Sequence, residues 1–154
     1  MMNKPITREK LIYLIALGKD VTKVNTSKIT DMSHMFSGTS SFNQDISKWD
    51  VSNVTDMRYM FFDVKSFNQD ISKWNVSKVT NMRYMFDKAS SFNKNISEWD
   101  VSNVTDMYYT FRDAKSFNQD ISKWNISKVT NKLEFFINNN NNNNFRASIL
   151  FLNY

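Results

Sequence analysis

Four tryptophans, Trp49, Trp74, Trp99 and Trp124, stand 25 residues apart with no insertion or deletion between them. Phe42, Phe67, Phe92 and Phe117 keep the same step, as do Ile46, Ile71, Ile96 and Ile121. This fixed period constrains the fold more than any property of composition. A single unit has too few apolar side chains to offset the entropy of ordering its own backbone. Equivalent units must therefore stack and bury one another's faces. The period predicts a repeat solenoid in which equivalent side chains of successive turns lie one above the next.

Residues 71–95 show what one unit offers. Trp74 and Val76 alternate with polar Lys73 and Asn75, the period of a strand. Val79, Met82, Met85 and Phe86 then recur at three and four residues, the period of a helix, with Thr80 placed to cap it. The expected fold class is an α/β repeat solenoid, with one short parallel strand and one short helix per 25-residue repeat. The chain divides into a leader, 1–23, a repeat body, 24–137, and an Asn-rich tract with an apolar tail, 138–154. Within the body, 24–48 is degenerate, with Val24 at the tryptophan position. Full repeats follow at 49–73, 74–98 and 99–123, and a partial one at 124–137.

The leader reads as a helix that caps the stack. Thr7 is a suitable N-cap, Leu11, Leu14 and Ile15 form an apolar stripe, and Gly18 can end the helix. A secretory signal peptide is the rival reading. Against it, the run LIYLIAL is short, Glu9 interrupts the basic residues, and no small-x-small site follows.

A second period lies over the first. Asp50, Asn75, Asp100 and Asn125 form one expected column, Asn53, Lys78, Asn103 and Lys128 another, and Asp56, Asn81, Asp106 and Asn131 a third. Like charges stacked at strand spacing repel, and alternating each with a neutral amide separates them. Asn43, Asn68, Asn93 and Asn118 form an unbroken column suited to hydrogen bonds along the stack. With only two Gly and one Pro in the chain, turns must be made by Asn, Asp and Ser.

The residues that carry chemistry are sparse. There is no cysteine, hence no disulfide, thiolate metal site or cysteine nucleophile, and no thioether lipid anchor. His34 is the only histidine and occupies the column of Tyr59, Tyr84 and Tyr109. Asp50, Asn53 and Asp56 lack the spacing and glycine of a calcium loop. Asn53-Val-Thr55 and Asn103-Val-Thr105 match a glycosylation sequon but belong to the repeat itself. No enzyme activity, cofactor or metal is expected. The net charge of +5 is concentrated in the leader, which has five Lys/Arg against two Asp/Glu. Residues 24–131 hold thirteen against twelve, which does not favour a nucleic-acid partner. No apolar run is long enough to span a membrane.

Two surfaces remain for binding. One, expected as a sheet face, carries Lys48, Asp50, Lys73, Asn75, Glu98, Asp100, Lys123 and Asn125. The other, expected as a helical side, carries Arg58, Tyr59, Arg83, Tyr84, Tyr108 and Tyr109. Exposed Arg and Tyr are typical interface anchors, although the tyrosines could equally pack between turns.

The phrase FNxxISxWxVSxVTxM followed by MF runs through 42–61, 67–86 and 92–107, partly through 117–136, and its second half appears at 27–36. It resembles the BspA-like leucine-rich-repeat surface proteins, in particular the 25-residue repeats of Mycoplasma lipoproteins. The resemblance implies a leucine-rich-repeat-like fold and a role in adhesion or protein binding at the cell surface or outside it, with a host or matrix protein as partner. The alternative is an intracellular scaffold or an inert repeat fragment with no ligand of its own. Nothing in the sequence sets an oligomeric state.

Overall fold

The computed structural model describes residues 4–131. The rest of the partial repeat, the Asn138–Asn144 tract and the apolar tail lie outside the described residues.

The leader forms α1, Arg8–Ala16. Thr7 is its N-cap, accepting from the Lys10 amide at 3.3 Å, and the chain leaves at Gly18 with φ +64°. There the Gly18 and Lys19 amides take the carbonyls of Ile15 and Leu14, which closes the helix end. Leu11 and Ile15 are buried. Arg8 reaches the first repeat, where its guanidinium donates to the Asp31 and Ser33 carbonyls.

From there the chain winds through 25-residue coils, each bonded to its neighbours. Thr55, Thr80, Thr105 and Thr130 each donate their backbone amide to the threonine carbonyl one coil earlier, at 2.8–2.9 Å. The expected strand and helix of each coil are corrected by the structure. Among the described residues α1 is the one helix. Pairing shrinks to single parallel bridges, Pro5 to Asn25 and then Asp31, Asp56, Asn81, Asp106 and Asn131 in succession. With no strand per repeat and no sheet among the described residues, the α/β, leucine-rich-repeat-like fold class does not hold.

The reasons are local. Trp74 is buried, Asn75 exposed and Val76 buried, so the alternation is real, but it is cut short. The Asn75 Oδ1 accepts from the Ser77 amide at 3.1 Å, and the Val79 amide bonds back to Val76. These two bonds bend the chain before a ladder can form.

Residues 57–64 fail to become a helix for a different reason. The amides of Met57, Tyr59, Phe61 and Asp63 point along the stack, to the carbonyls of Asn81, Arg83, Met85 and Asp87 at 2.8–2.9 Å. Those between them, at Met60, Phe62 and Val64, bond back three residues. Tyr59 and Asp63 hold φ +56° at the third position of their turns, as a type II turn requires. Linked four-residue turns bring Val54, Met57, Met60, Phe61 and Val64 inside at the same spacing a helix would.

The core is a set of aromatic columns. Phe36, Phe61, Phe86 and Phe111 stack with centroids 5.3–5.4 Å apart. Phe67, Phe92 and Phe117 stack at 5.8 Å. Each pair within a coil meets closely, as Phe61 and Phe67 do at 4.0 Å. The tryptophans border this core and are satisfied: the indole N–H groups of Trp49, Trp74, Trp99 and Trp124 donate to the carbonyls of Val21, Ile46, Ile71 and Ile96 at 3.0–3.2 Å.

Polar columns tie the coils from outside. Asn43, Asn68 and Asn93 each accept, through Oδ1, the backbone amide of the asparagine one coil on, at 2.9–3.0 Å. The acceptor is the side chain and the donor is the backbone; at Asn43 and Asn93 the same Oδ1 also accepts from the Gln69 and Gln119 side-chain amides, at 2.9 and 2.8 Å.

Candidate functional site

The bridged column Asp31, Asp56, Asn81, Asp106 starts every outer turn. Each side-chain Oδ1 accepts the amide two residues on, from Ser33, Arg58, Arg83 and Tyr108, at 2.8–3.0 Å. Asp and Asn share this acceptor, so charge can alternate while the turn persists. The alternation stops at Asp31 beside Asp56. There Arg8 lies 3.6 Å from the Asp31 carboxylate, and Arg58 lies 3.5 Å from that of Asp56. Burial opposes ionisation of Asp31, but the Ser33 hydroxyl and amide outweigh it and lower its pKa, helped by Arg8 and Arg58.

The turn then lifts an aromatic residue into the left-handed region in four successive coils. His34, Tyr59, Tyr84 and Tyr109 hold φ between +55° and +56°. His34 and Tyr59 stack at 4.6 Å, Tyr59 and Tyr84 at 4.6 Å, and Tyr84 and Tyr109 meet tilted at 5.3 Å. The column costs backbone strain and gains ring stacking. Arginines lie over it. Arg83 sits 4.4 Å from the Tyr108 ring centre and 5.1 Å from that of Tyr84. Arg112 sits 4.3 Å from Tyr109 and 5.3 Å from Tyr84.

These arginines also have carboxylate partners. Arg83 lies 3.7 Å from the Asp106 carboxylate, one coil on. Arg112 grips Asp87 through two hydrogen bonds, Nε to Oδ1 at 3.0 Å and Nη2 to Oδ2. Burial raises the Asp87 carboxyl above its ordinary range against the pull of Arg112, while the Asp87 hydrogen bond raises Arg112. The strip is therefore aromatic and internally neutralised, with few unpaired cations.

The sequence-picked residues fall on two faces. Tyr59, Arg83, Tyr84, Tyr108 and Tyr109 are half-buried and Arg58 is exposed; the structure brings them together on this strip, built of turns and not of helices. Lys48, Asp50, Lys73, Asn75, Glu98, Asp100, Lys123 and Asn125 are all exposed. They lie on the bends around each tryptophan, and no sheet underlies them. Lys78 and Lys128 reach across coils to the Asn53 and Asn103 Oδ1 atoms at 2.8 and 2.7 Å. Arg112 and His34 complete the aromatic strip, beyond the Arg and Tyr positions expected from the sequence. Arg112 replaces Phe62 and Asp87 in its column, so no repeat pattern marked it.

Among the described residues no group of three or more His, Cys, Asp or Glu is placed to hold a metal ion. No helix there is long and apolar enough to cross a membrane. The sequence profile of a family described as "Mycoplasma protein of unknown function, DUF285" matches residues 9–99 and again 72–149. No curated protein and no solved structure matches the chain.

Proposed function

We propose, from the premise that this chain belongs to the DUF285 family of Mycoplasma proteins, that it is a non-enzymatic module that binds another protein. The observation that carries the reading is the stacked column of His34, Tyr59, Tyr84 and Tyr109 flanked by Arg58, Arg83 and Arg112. It presents the residue types that dominate protein interfaces, on turns held rigid by bonds to both neighbouring coils. Arg83 and Arg112 already have carboxylate partners, which disfavours a polyanion and favours a partner that meets aromatic edges and paired charges. Attachment to host or matrix protein is the form of this role that the BspA-like resemblance suggests.

The test is binding of the whole chain to a panel of immobilised extracellular-matrix proteins by surface plasmon resonance. The parent should bind at least one. The double variant Arg58→Ala/Tyr59→Ala should weaken that binding at least tenfold while its far-UV spectrum is kept. Binding to none, or binding indifferent to the variant, would remove the reading.

A further inference from the structure

The structure assigns to the Asp87–Arg112 pair the task of fixing which coil docks on which, so that repeats that otherwise match pair in one order only.

The hazard comes from regularity. Trp74, Trp99 and Trp124, like Phe67, Phe92 and Phe117, are interchangeable in their columns. If residues 99–123 looped out, Trp124 and Val129 would meet the coil of Trp74 in the columns that Trp99 and Val104 hold now. Closing a longer loop adds little entropic cost, so chain entropy alone does not forbid it. Repeated elements with equivalent contacts are prone to such slips.

The exposed columns discriminate weakly. Asp56, Asn81, Asp106 and Asn131 distinguish odd coils from even ones, but salt and solvent screen such charges. The bridge of Asp31 to Asp56 shows two aspartates tolerated side by side.

One column behaves differently. Ser37, Phe62, Asp87 and Arg112 occupy it in succession, and no residue type recurs. The Asp87 side chain is fully buried, and both its oxygens accept from Arg112. In a chain that skipped 99–123, Asp87 would lose its cation, since Ile137 follows Arg112 in the 25-residue register, and a buried charge stripped of its partner is strongly unfavourable. The other polar departure of that coil, Thr110 in the Met35, Met60, Met85 column, does not discriminate. Its hydroxyl bonds the Met82 and Met107 carbonyls, and a backbone carbonyl recurs in every coil. A buried ion pair contributes little net stability over well-packed apolar residues but is known to specify register, which separates the two roles experimentally.

The chain has no cysteine, so a disulfide can report the pairing. Thr80 and Thr130 are exposed and two coils apart, about 9.6 Å at sheet spacing, beyond disulfide reach. They become neighbours only if 99–123 loops out. The monomer of Thr80→Cys/Thr130→Cys should stay reduced under mild oxidant, whereas Thr80→Cys/Thr105→Cys should close as a control. Adding Asp87→Leu/Arg112→Leu should raise the Thr80→Cys/Thr130→Cys disulfide at least tenfold, with a urea midpoint no lower than the parent's. Should the leucine pair fail to fold, Asp87→Asn/Arg112→Gln carries the same expectation. A reduced cysteine pair in either folded background, or a disulfide already formed with Asp87 and Arg112 intact, would overturn the assignment.

Discussion

The Tyr59 and Tyr84 rings lie 4.6 Å apart and within 15° of parallel, and both residues hold φ +56°. Stacking and backbone strain thus meet at the same position. Tyr59→Ala removes the ring and keeps the strain, whereas Tyr59→Gly removes both. Tyr59→Ala should cost about 1–3 kcal/mol, and Tyr59→Gly should be less destabilised than Tyr59→Ala by roughly 0.5–1 kcal/mol. Urea denaturation of both variants decides it; equal losses would mean the left-handed conformation costs nothing here.

Gly38 fills the column taken by Asp63, Lys88 and Asp113, at φ +75°. A Cβ built there meets nothing within 4 Å, so any effect of substitution is conformational. Gly38→Val should lose about 1–2 kcal/mol, whereas Gly38→Asn, a residue that tolerates this region, should lose less than half as much. Thermal melts of the two variants are the measurement.

Trp74 donates its indole N–H to the Ile46 carbonyl at 3.1 Å in a buried setting. Trp74→Phe leaves that carbonyl without this donor and should destabilise by about 1–3 kcal/mol, plus the loss of packing volume. Trp99→Phe should behave alike, because Trp99 bonds the Ile71 carbonyl in the same way. A Trp74→Phe variant with an unchanged urea midpoint would contradict the role given to the bond.

Serine hydrogen bonds hold five exposed carboxyls below their ordinary pKa. The Ser47, Ser52 and Ser102 hydroxyls lead for Asp45, Asp50 and Asp100. The Ser72 and Ser122 amides lead for Asp70 and Asp120. A pKa depressed by folding contributes stability that is present above the unfolded value of 3.8 and lost as pH falls through the folded one. Asp87 has the opposite sign, since its raised pKa favours the fold as it becomes protonated, but it stands against these five and against Asp20 and Asp31, which are lowered too. The urea midpoint should therefore hold between neutral pH and about pH 5 and fall below about pH 4. A midpoint steady down to about pH 3 would show that these turns are not coupled to folding.

The columns were legible because they repeat. Trp49, Phe67 and Ile71 each recur every 25 residues, and an interval states what must stack without any knowledge of backbone conformation. Thr7 and Gly18 marked the ends of α1 because capping is local chemistry. The path within a coil was not legible, since Met57, Met60, Phe61 and Val64 have a spacing that linked turns and a helix share. One clue was present: Gly38 stands where later repeats have Asp63, Lys88 and Asp113, and a glycine there points to positive φ. Arg58, Tyr59, Arg83 and Tyr84 could be placed on one face from their period. Arg112 could not, because its contact with Asp87 joins two residues that resemble nothing in the neighbouring repeats.

The hydrogen bonds between coils described above link residues only 24 to 28 positions apart. Tension along the stack therefore meets no long-range clasp among the described residues and is taken up by one coil at a time. Each release should free 25 residues, roughly 80–90 Å of contour. In an optical trap the protein would lengthen in even steps, yielding gradually where a globular domain of this size gives way at once.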